Sequence, residues 1–124
     1  MGERALNVVE IRADILIVDD DDGVRVGLER ILRGSGYATA GAATAEEGLE
    51  VLSGRRFDLI LTDLEMPGMD GLAFLEEVKR VLPDTPVVMI TAYGSMDIVI
   101  RALRAGVSDF VTKPFKPEEL LGIV

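Results

Sequence analysis

Three short runs of consecutive apolar residues, Ile15-Leu16-Ile17-Val18, Leu59-Ile60-Leu61 and Val87-Val88-Met89-Ile90, recur along the chain, each followed at once by polar or turn-forming residues. Runs of this length, rich in β-branched side chains, predict strands buried on both faces. Weaker strands are predicted over 37–42, where the residues are small, and over 109–112. Between the strands the pattern changes to the helical period. Val24, Leu28, Ile31 and Leu32 line one face of a helix that Gly34-Ser35-Gly36 stops. Thr44-Ala45-Glu46-Glu47 has the form of a capping box and opens a second helix, with Leu49 and Leu52 inward and Gly54 at its end.

Asp70 is placed to cap a third helix over 71–82, whose inner face is Leu72, Leu75, Val78 and Leu82, and Pro83 closes it. Ser95 is placed to cap a fourth, with Val99, Ala102 and Leu103 inward and Gly106 as its stop. Pro117 opens a last helix, where Glu118 and Glu119 suit the positive end of the dipole. About two turns remain before Val124, which is marginal for covering a sheet edge. The expectation is a truncated last helix and a domain cut from a longer protein. Residues 1–13 show neither period nor cap and read as an N-terminal extension, a linker or a cloning remnant. Residues 14–124 form the domain. Five strands alternating with helices predict an α/β fold, a doubly wound parallel sheet covered on both faces. Such sheets bind ligands outside the carboxyl ends of their strands, at the point where the winding reverses.

Composition narrows the chemistry available there. A length of 124 residues fits one domain with a real core. A net charge of -9 and a pI near 4.4 argue against direct nucleic-acid binding by a phosphate-neutralising surface. With no Cys there is no disulfide, thiolate nucleophile or zinc-thiolate site, and with no His there is no Ser-His-Asp triad, histidine base or phosphohistidine carrier. No apolar run is long enough to span a membrane, and no basic stretch precedes an apolar one at the N-terminus, so a cytoplasmic location is expected. Carboxylate, hydroxyl and amine chemistry remain.

Those groups sit at the strand ends: Asp19 and Asp20 after the first strand, Asp63 at the third, Thr91 at the fourth and Lys113 after the fifth. In a parallel sheet all of these ends share one edge. A carboxylate at the end of a buried strand costs desolvation energy unless something pairs with it, so Asp63 calls for partners. Neighbouring carboxylates also repel, by about 4 kcal/mol per close pair at an effective dielectric near 20. A hard divalent cation removes that repulsion, and oxygen-only ligands with positions left for water suit Mg²⁺. One carboxylate can instead act as a nucleophile, as in aspartyl-phosphate chemistry. A lysine and a hydroxyl nearby suit the oxygens of a phosphoryl group. The residue types allow a metal-assisted phosphate site without proving one. By contrast, Asp21 and Asp22 read as helix caps, Thr62 and Thr112 as strand residues, and Met66 and Met69 as packing.

Four segments, Ile15-Leu-Ile-Val-Asp-Asp-Asp, Leu61-Thr-Asp-Leu-Glu-Met-Pro-Gly-Met-Asp-Gly, Val88-Met-Ile-Thr-Ala-Tyr-Gly and Ala105-Gly-Val-Ser-Asp-Phe-Val-Thr-Lys-Pro-Phe, follow one another in an order and spacing that resembles the receiver domain of bacterial two-component response regulators. The resemblance runs from about Asp14 to the C-terminus. It implies a flavodoxin-like strand order 2-1-3-4-5. It implies Asp63 as phospho-acceptor, Asp20 as a direct Mg²⁺ ligand (with Mn²⁺ as an alternative ion), Asp19 acting through water, and the backbone carbonyl of Glu65 as a further ligand. Thr91 matches the hydroxyl that turns toward the phosphoryl group, Lys113 the lysine that pairs with it, and Lys113-Pro114 the family's cis peptide.

Phe110 stands at the aromatic switch position, often tyrosine in the family, so a switch here works through packing without a hydroxyl. Glu65, Ala92 and Tyr93 fall at the rim, where the family tunes phosphoryl lifetime. The implied partners are a histidine kinase or phosphotransfer protein and an output domain following the chain, with a homodimer as a further option. The Thr91-Ala-Tyr-Gly-Ser and Asp109-Phe-Val-Thr-Lys-Pro-Phe stretches lean toward the receivers of enhancer-binding transcription activators. The implied function is a phospho-acceptor and not a turnover enzyme. Two alternatives stand beside it. One is a haloacid dehalogenase-like phosphotransferase, whose pattern has the acidic pair last and a second aspartate near the nucleophile. The other is a phosphorylation-independent interaction module.

Overall fold

A computed structural model describes residues 13–92 and 95–123. Five strands, β1 (Asp14–Val18), β2 (Ala38–Ala42), β3 (Leu59–Asp63), β4 (Val87–Thr91) and β5 (Asp109–Thr112), alternate with α1 (Asp22–Gly34), α2 (Ala45–Gly54), α3 (Gly71–Val81), α4 (Met96–Ala105) and α5 (Pro117–Ile123). The strands form one parallel sheet in the order β2-β1-β3-β4-β5. The chain winds outward from β1 to β2, then crosses back to β3 and continues the other way, so the winding reverses between β1 and β3.

Alternation along the strands divides the core in two. Ile15, Ile17, Leu61, Val88, Ile90 and Val111 meet Leu28 and Leu32 of α1 and Leu120 of α5. Leu16, Val18, Ile60, Val87 and Met89 meet α2, α3 and α4 through Ala45, Phe74, Leu75, Val78 and Ala102. Burying each Leu, Ile or Phe contributes about 1.5–3 kcal/mol, far more than the few tenths that separate helix propensities. The apolar pattern therefore dominates where the elements form.

Local signals set the boundaries. The side chains of Asp21, Thr44, Asp70 and Ser95 accept from the backbone N–H groups of Val24, Glu47, Ala73 and Ile98, capping α1 to α4. The reciprocal half of the capping box is displaced: the Glu47 carboxylate accepts from Ala43 N–H at 3.0 Å, one residue before the cap.

Two inward assignments differ from the pattern reading. Leu103 was expected inward but is 59% exposed, because α4 turns Ile98, Ala102 and Ala105 toward the core instead. Phe74, outside the expected stripe of α3, is fully buried. Its ring lies 3.2 Å from where a Cβ on Gly48 would stand, so the glycine of α2 makes the space that Phe74 fills. Leu49 and Leu52 are half-buried against the same core. The N-terminal extension expected over residues 1–12 and the rim position expected of Tyr93 lie outside the described residues.

Candidate functional site

Strand register assembles the site. Val18 pairs with Thr62, and Asp63 pairs with Ile90, so Asp19, one step past Val18, is carried to the row of Asp63. Thr91 pairs with Thr112, which places Lys113 one residue further along the same edge. The Asp19 N–H donates to the Ala42 carbonyl at 3.1 Å, and the Lys113 N–H donates to the Thr91 carbonyl at 2.9 Å, extending both ladders past the strand ends. The winding reverses between β1 and β3 at this edge, where Asp19, Asp20, Asp63 and Lys113 lie close together.

Lys113 Nζ lies 3.3 Å from Asp19 Oδ2 and 3.5 Å from Asp63 Oδ1. Asp19 is buried, and its Oδ1 accepts from the Asp21 N–H at 2.9 Å. Asp20 is exposed. The Asp63 side chain is 11% exposed and accepts from the Leu64 N–H at 2.9 Å. Burial, and then the negative charge of Asp19, push the Asp63 carboxyl above the ordinary carboxylate range; Lys113 and the Leu64 N–H pull against that rise without cancelling it. Ionising Asp63 in the folded chain therefore carries a cost.

Asp19, Asp20 and Asp63 each offer one carboxylate oxygen, and these oxygens all lie within 4.8 Å of one another. Among the described residues, Lys113 pairs with two of the three carboxylates, Asp19 and Asp63. Hard oxygen donors with one member open to solvent fit a divalent cation that retains part of its water shell, such as Mg²⁺. Thr91 is buried beside this edge on the face of the sheet that also carries Met89 and Phe110. Phe110 is half-buried and packs against that core. Glu65 and Ala92 are exposed at the rim. The Lys113–Pro114 peptide is cis.

Other residues hold the site in place, and the sequence pattern gives Gly71, Gly68 and Glu46 no part in it. Gly71 donates its N–H to the Leu64 carbonyl at 2.7 Å, and a Cβ on Gly71 would fall 2.0 Å from the Asp63 carbonyl oxygen. The loop after Asp63 turns at Gly68, whose φ is +76°, and Met69 donates its N–H to Glu46 at 3.3 Å. Glu46 thus ties the start of α2 to the loop that follows the central carboxylate. In the sequence it shows only as an interior position of the Thr44-Ala45-Glu46-Glu47 stretch, whose capping acid is Glu47. Met66 is buried, Met69 packs against the core, and the Thr62 hydroxyl donates to the Asp63 carbonyl at 3.0 Å.

This arrangement has close counterparts. The chain is 38% identical over 113 residues to the DNA-binding transcriptional regulator NtrC of Escherichia coli (strain K12), a match covering 91% of this chain and 24% of that protein. It is 42% identical over 107 residues to the transcriptional regulatory protein ZraR of Escherichia coli O157:H7, covering 86% of this chain and 24% of that one. It therefore spans about a quarter of the length of these relatives. Among solved structures, a response regulator receiver domain protein (CheY-like) from Methanospirillum hungatei JF-1 superposes with a TM-score of 0.88 at 36% identity, covering 90% of each chain. The family model described as "Response regulator receiver domain" matches residues 15–124, and with the strand order and the strand-end acidic cluster already in place, the chain belongs to the response regulator receiver domain family.

Proposed function

We propose that the chain takes a phosphoryl group onto Asp63 from a histidine kinase, a phosphotransfer protein or a small acyl phosphate, and changes conformation to control an output domain. The observation that carries this reading is the Asp63 carboxylate at the end of β3, gathered with the Asp19 and Asp20 carboxylates and 3.5 Å from Lys113 Nζ. Receiver domains are phospho-acceptor regulatory domains, and the relatives named above are transcription regulators about four times longer than this chain. The output proposed here is control of transcription by a domain C-terminal to the receiver. The strongly acidic receiver does not itself contact DNA. No helix among the described residues is long and apolar enough to cross a membrane, and the cytoplasm is the proposed setting.

In the transfer, an Asp63 oxygen attacks phosphorus in line with the leaving group. The new O–P bond forms as the donor's N–P or acyl O–P bond breaks, and the electron pair leaves with the imidazole or carboxylate. Asp20, Asp63, Asp19 (through water) and the Glu65 carbonyl would hold Mg²⁺, which supplies positive charge against the carboxylates and the incoming phosphoryl oxygens. Lys113, already near both Asp19 and Asp63, neutralises further charge, and the Thr91 hydroxyl turns toward the phosphoryl group. Phe110, on the same face of the sheet as Thr91, repacks into the space vacated. That couples the site to α4 and β5 as a shift between two packed arrangements. An apolar cleft of about 450 Å³, lined by Val24, Gly27, Ile31 and Phe115 with Lys113 in its wall, is the proposed seat for a donor protein. The last helix and its neighbours are the proposed surface for self-association.

Intact-mass measurement after incubation with acetyl phosphate and Mg²⁺ tests the reading. The expected result is one phosphoryl group, incorporated only with the divalent ion and released slowly. Repeated turnover of phosphoesters without a retained group would point instead to the haloacid dehalogenase-like chemistry, and no incorporation to the interaction module.

A second prediction concerns the ion alone. Only the folded chain gathers the three carboxylates, so Mg²⁺ at about a hundred times its dissociation constant should stabilise the fold by about 2.7 kcal/mol. Thermal melting in Mg²⁺ against chelator reads this directly. Coincident curves would remove the cation from the proposal.

A further inference from the structure

All four polar positions of Asp19 are taken. Its N–H donates to the Ala42 carbonyl at 3.1 Å, its Oδ1 accepts from the Asp21 N–H at 2.9 Å, and its Oδ2 faces Lys113 Nζ at 3.3 Å. The fourth partner comes from α1: a terminal guanidinium nitrogen of Arg25 donates to the Asp19 carbonyl at 2.7 Å. The Arg25 side chain is only 17% exposed. Its stem lies across β2 at Gly41, where an added Cβ would stand 3.0 Å from Cδ and 3.4 Å from Cγ. The other terminal nitrogen pairs with Asp22, whose side chain is 83% exposed. The buried end of Arg25 therefore grips backbone, while its ion pair is a solvated one of small worth.

The aim of that guanidinium matters. It points at a carbonyl and not at any of the clustered carboxylate oxygens, so it occupies no ligand position. Its two hydrogen-bonding ends span the turn from β1 into α1, the turn that presents Asp19 and Asp20. Gly41 is what allows the stem to lie flat on the edge strand. A side chain there would have to displace Arg25 or Glu29, whose Oε2 would be 2.6 Å from the added Cβ.

We propose that Arg25, laid over Gly41, is a positioning residue that fixes the Asp19 backbone and so sets the carboxylate cluster for binding a divalent cation. The inference rests on the cation reading above and assigns the turn's geometry to a residue outside the strand-end set. It also opposes the simplest electrostatic expectation. If Arg25 acted only as a nearby positive charge, removing it would tighten cation binding; if it positions the ligands, removing it weakens binding. The sign of the change decides.

Calorimetric titration of Mg²⁺ into the unsubstituted chain and into Arg25→Met, Arg25→Lys, Gly41→Ala and Asp22→Asn provides the test. Arg25→Met keeps an apolar stem and removes the donors. It is expected to weaken the dissociation constant about tenfold, the scale usual for partners that orient metal ligands. Arg25→Lys, which keeps a charge and a donor, should recover part of the loss. Gly41→Ala should weaken binding in the same direction by lifting the stem. Asp22→Asn, which touches only the exposed pair, should bind like the unsubstituted chain. Should Arg25→Met fail to fold, as circular dichroism would show, Arg25→Lys and Gly41→Ala carry the test. Wild-type or tighter affinity in the Arg25 and Gly41 variants overturns the inference. Absence of Mg²⁺ binding in the unsubstituted chain overturns the cation reading and this inference with it.

Discussion

Asp63→Asn should reduce phosphoryl incorporation from acetyl phosphate to background while leaving the fold intact. The amide keeps the size of the side chain and an oxygen that can still accept from the Leu64 N–H, now 2.9 Å from Asp63 Oδ1. It loses the anionic oxygen that must attack phosphorus, and a neutral amide is a poor nucleophile. Asp19 and Asp20 remain within reach of any phosphoryl donor that the cluster binds. A label that persists at wild-type level in Asp63→Asn would therefore move the acceptor to one of them.

The same substitution should raise the melting temperature in chelator at neutral pH. Asp63 has its carboxyl raised by burial and by Asp19, so the folded chain holds this proton at a pH where the unfolded chain has released it. Stability from this group is then greatest below the unfolded value and falls as pH rises through the folded one. At neutral pH the ionised carboxylate is a standing cost that Asn removes. The advantage of Asn should fade as the buffer is taken below the ordinary aspartate value. An equal or lower melting temperature for Asp63→Asn at neutral pH would show that Lys113 more than compensates the burial. Adding Mg²⁺ should narrow the gap from the other side, since the ion stabilises the wild-type anion and finds a weaker site in the variant.

The apolar runs of β1, β3 and β4 could be located from sequence because they are too short for buried helices and are followed at once by polar or turn-forming residues, and the caps at Asp21, Thr44, Asp70 and Ser95 because each cap is a local bond over three residues. The site residues were legible for a different reason. Each ends a strand, and a parallel sheet brings strand ends together whatever the intervening helices do. Relations between elements were hidden. Leu103 and Ile98 both lie on apolar positions of α4, and only the rotation of that helix against α3 and the sheet decides that Leu103 faces solvent. Phe74 needed knowledge that Gly48 lies opposite it. Arg25 and Glu46 act on backbone far along the chain or across a turn, and nothing in their local sequence distinguishes them from ordinary helix-surface charges. What the sequence conceals here is mostly backbone approached closely by something else.

Gly71 is the sharpest case of that kind, and Gly71→Ala should cost the fold about 3 kcal/mol. Two effects compete. Alanine in a helix is favoured over glycine by about 0.5–1 kcal/mol, and Gly71 opens α3 with no positive φ to require it. Against this, the added Cβ would lie 2.0 Å from the Asp63 carbonyl oxygen and 2.8 Å from the Leu64 Cα. Both obstacles are backbone, so no side-chain rotation relieves them, and either α3 or the end of β3 must move. The steric term wins. At roughly 4 °C per kcal/mol for a domain of this size, the melting temperature should fall by about 12 °C.

Gly27→Ala, in the middle of α1 with nothing within 4 Å of the added atom, should show the propensity term alone and gain about 0.5–1 kcal/mol. The pair of variants separates a glycine whose space the fold requires from one whose space the fold leaves open. Because the displaced group is the peptide of Asp63 itself, Gly71→Ala should also slow phosphoryl uptake at temperatures where the variant is still folded. A variant as stable as the parent and labelled at the parent's rate would mean that β3 and α3 can part by an ångström without disturbing the carboxylate, and the close approach would then be incidental to the site.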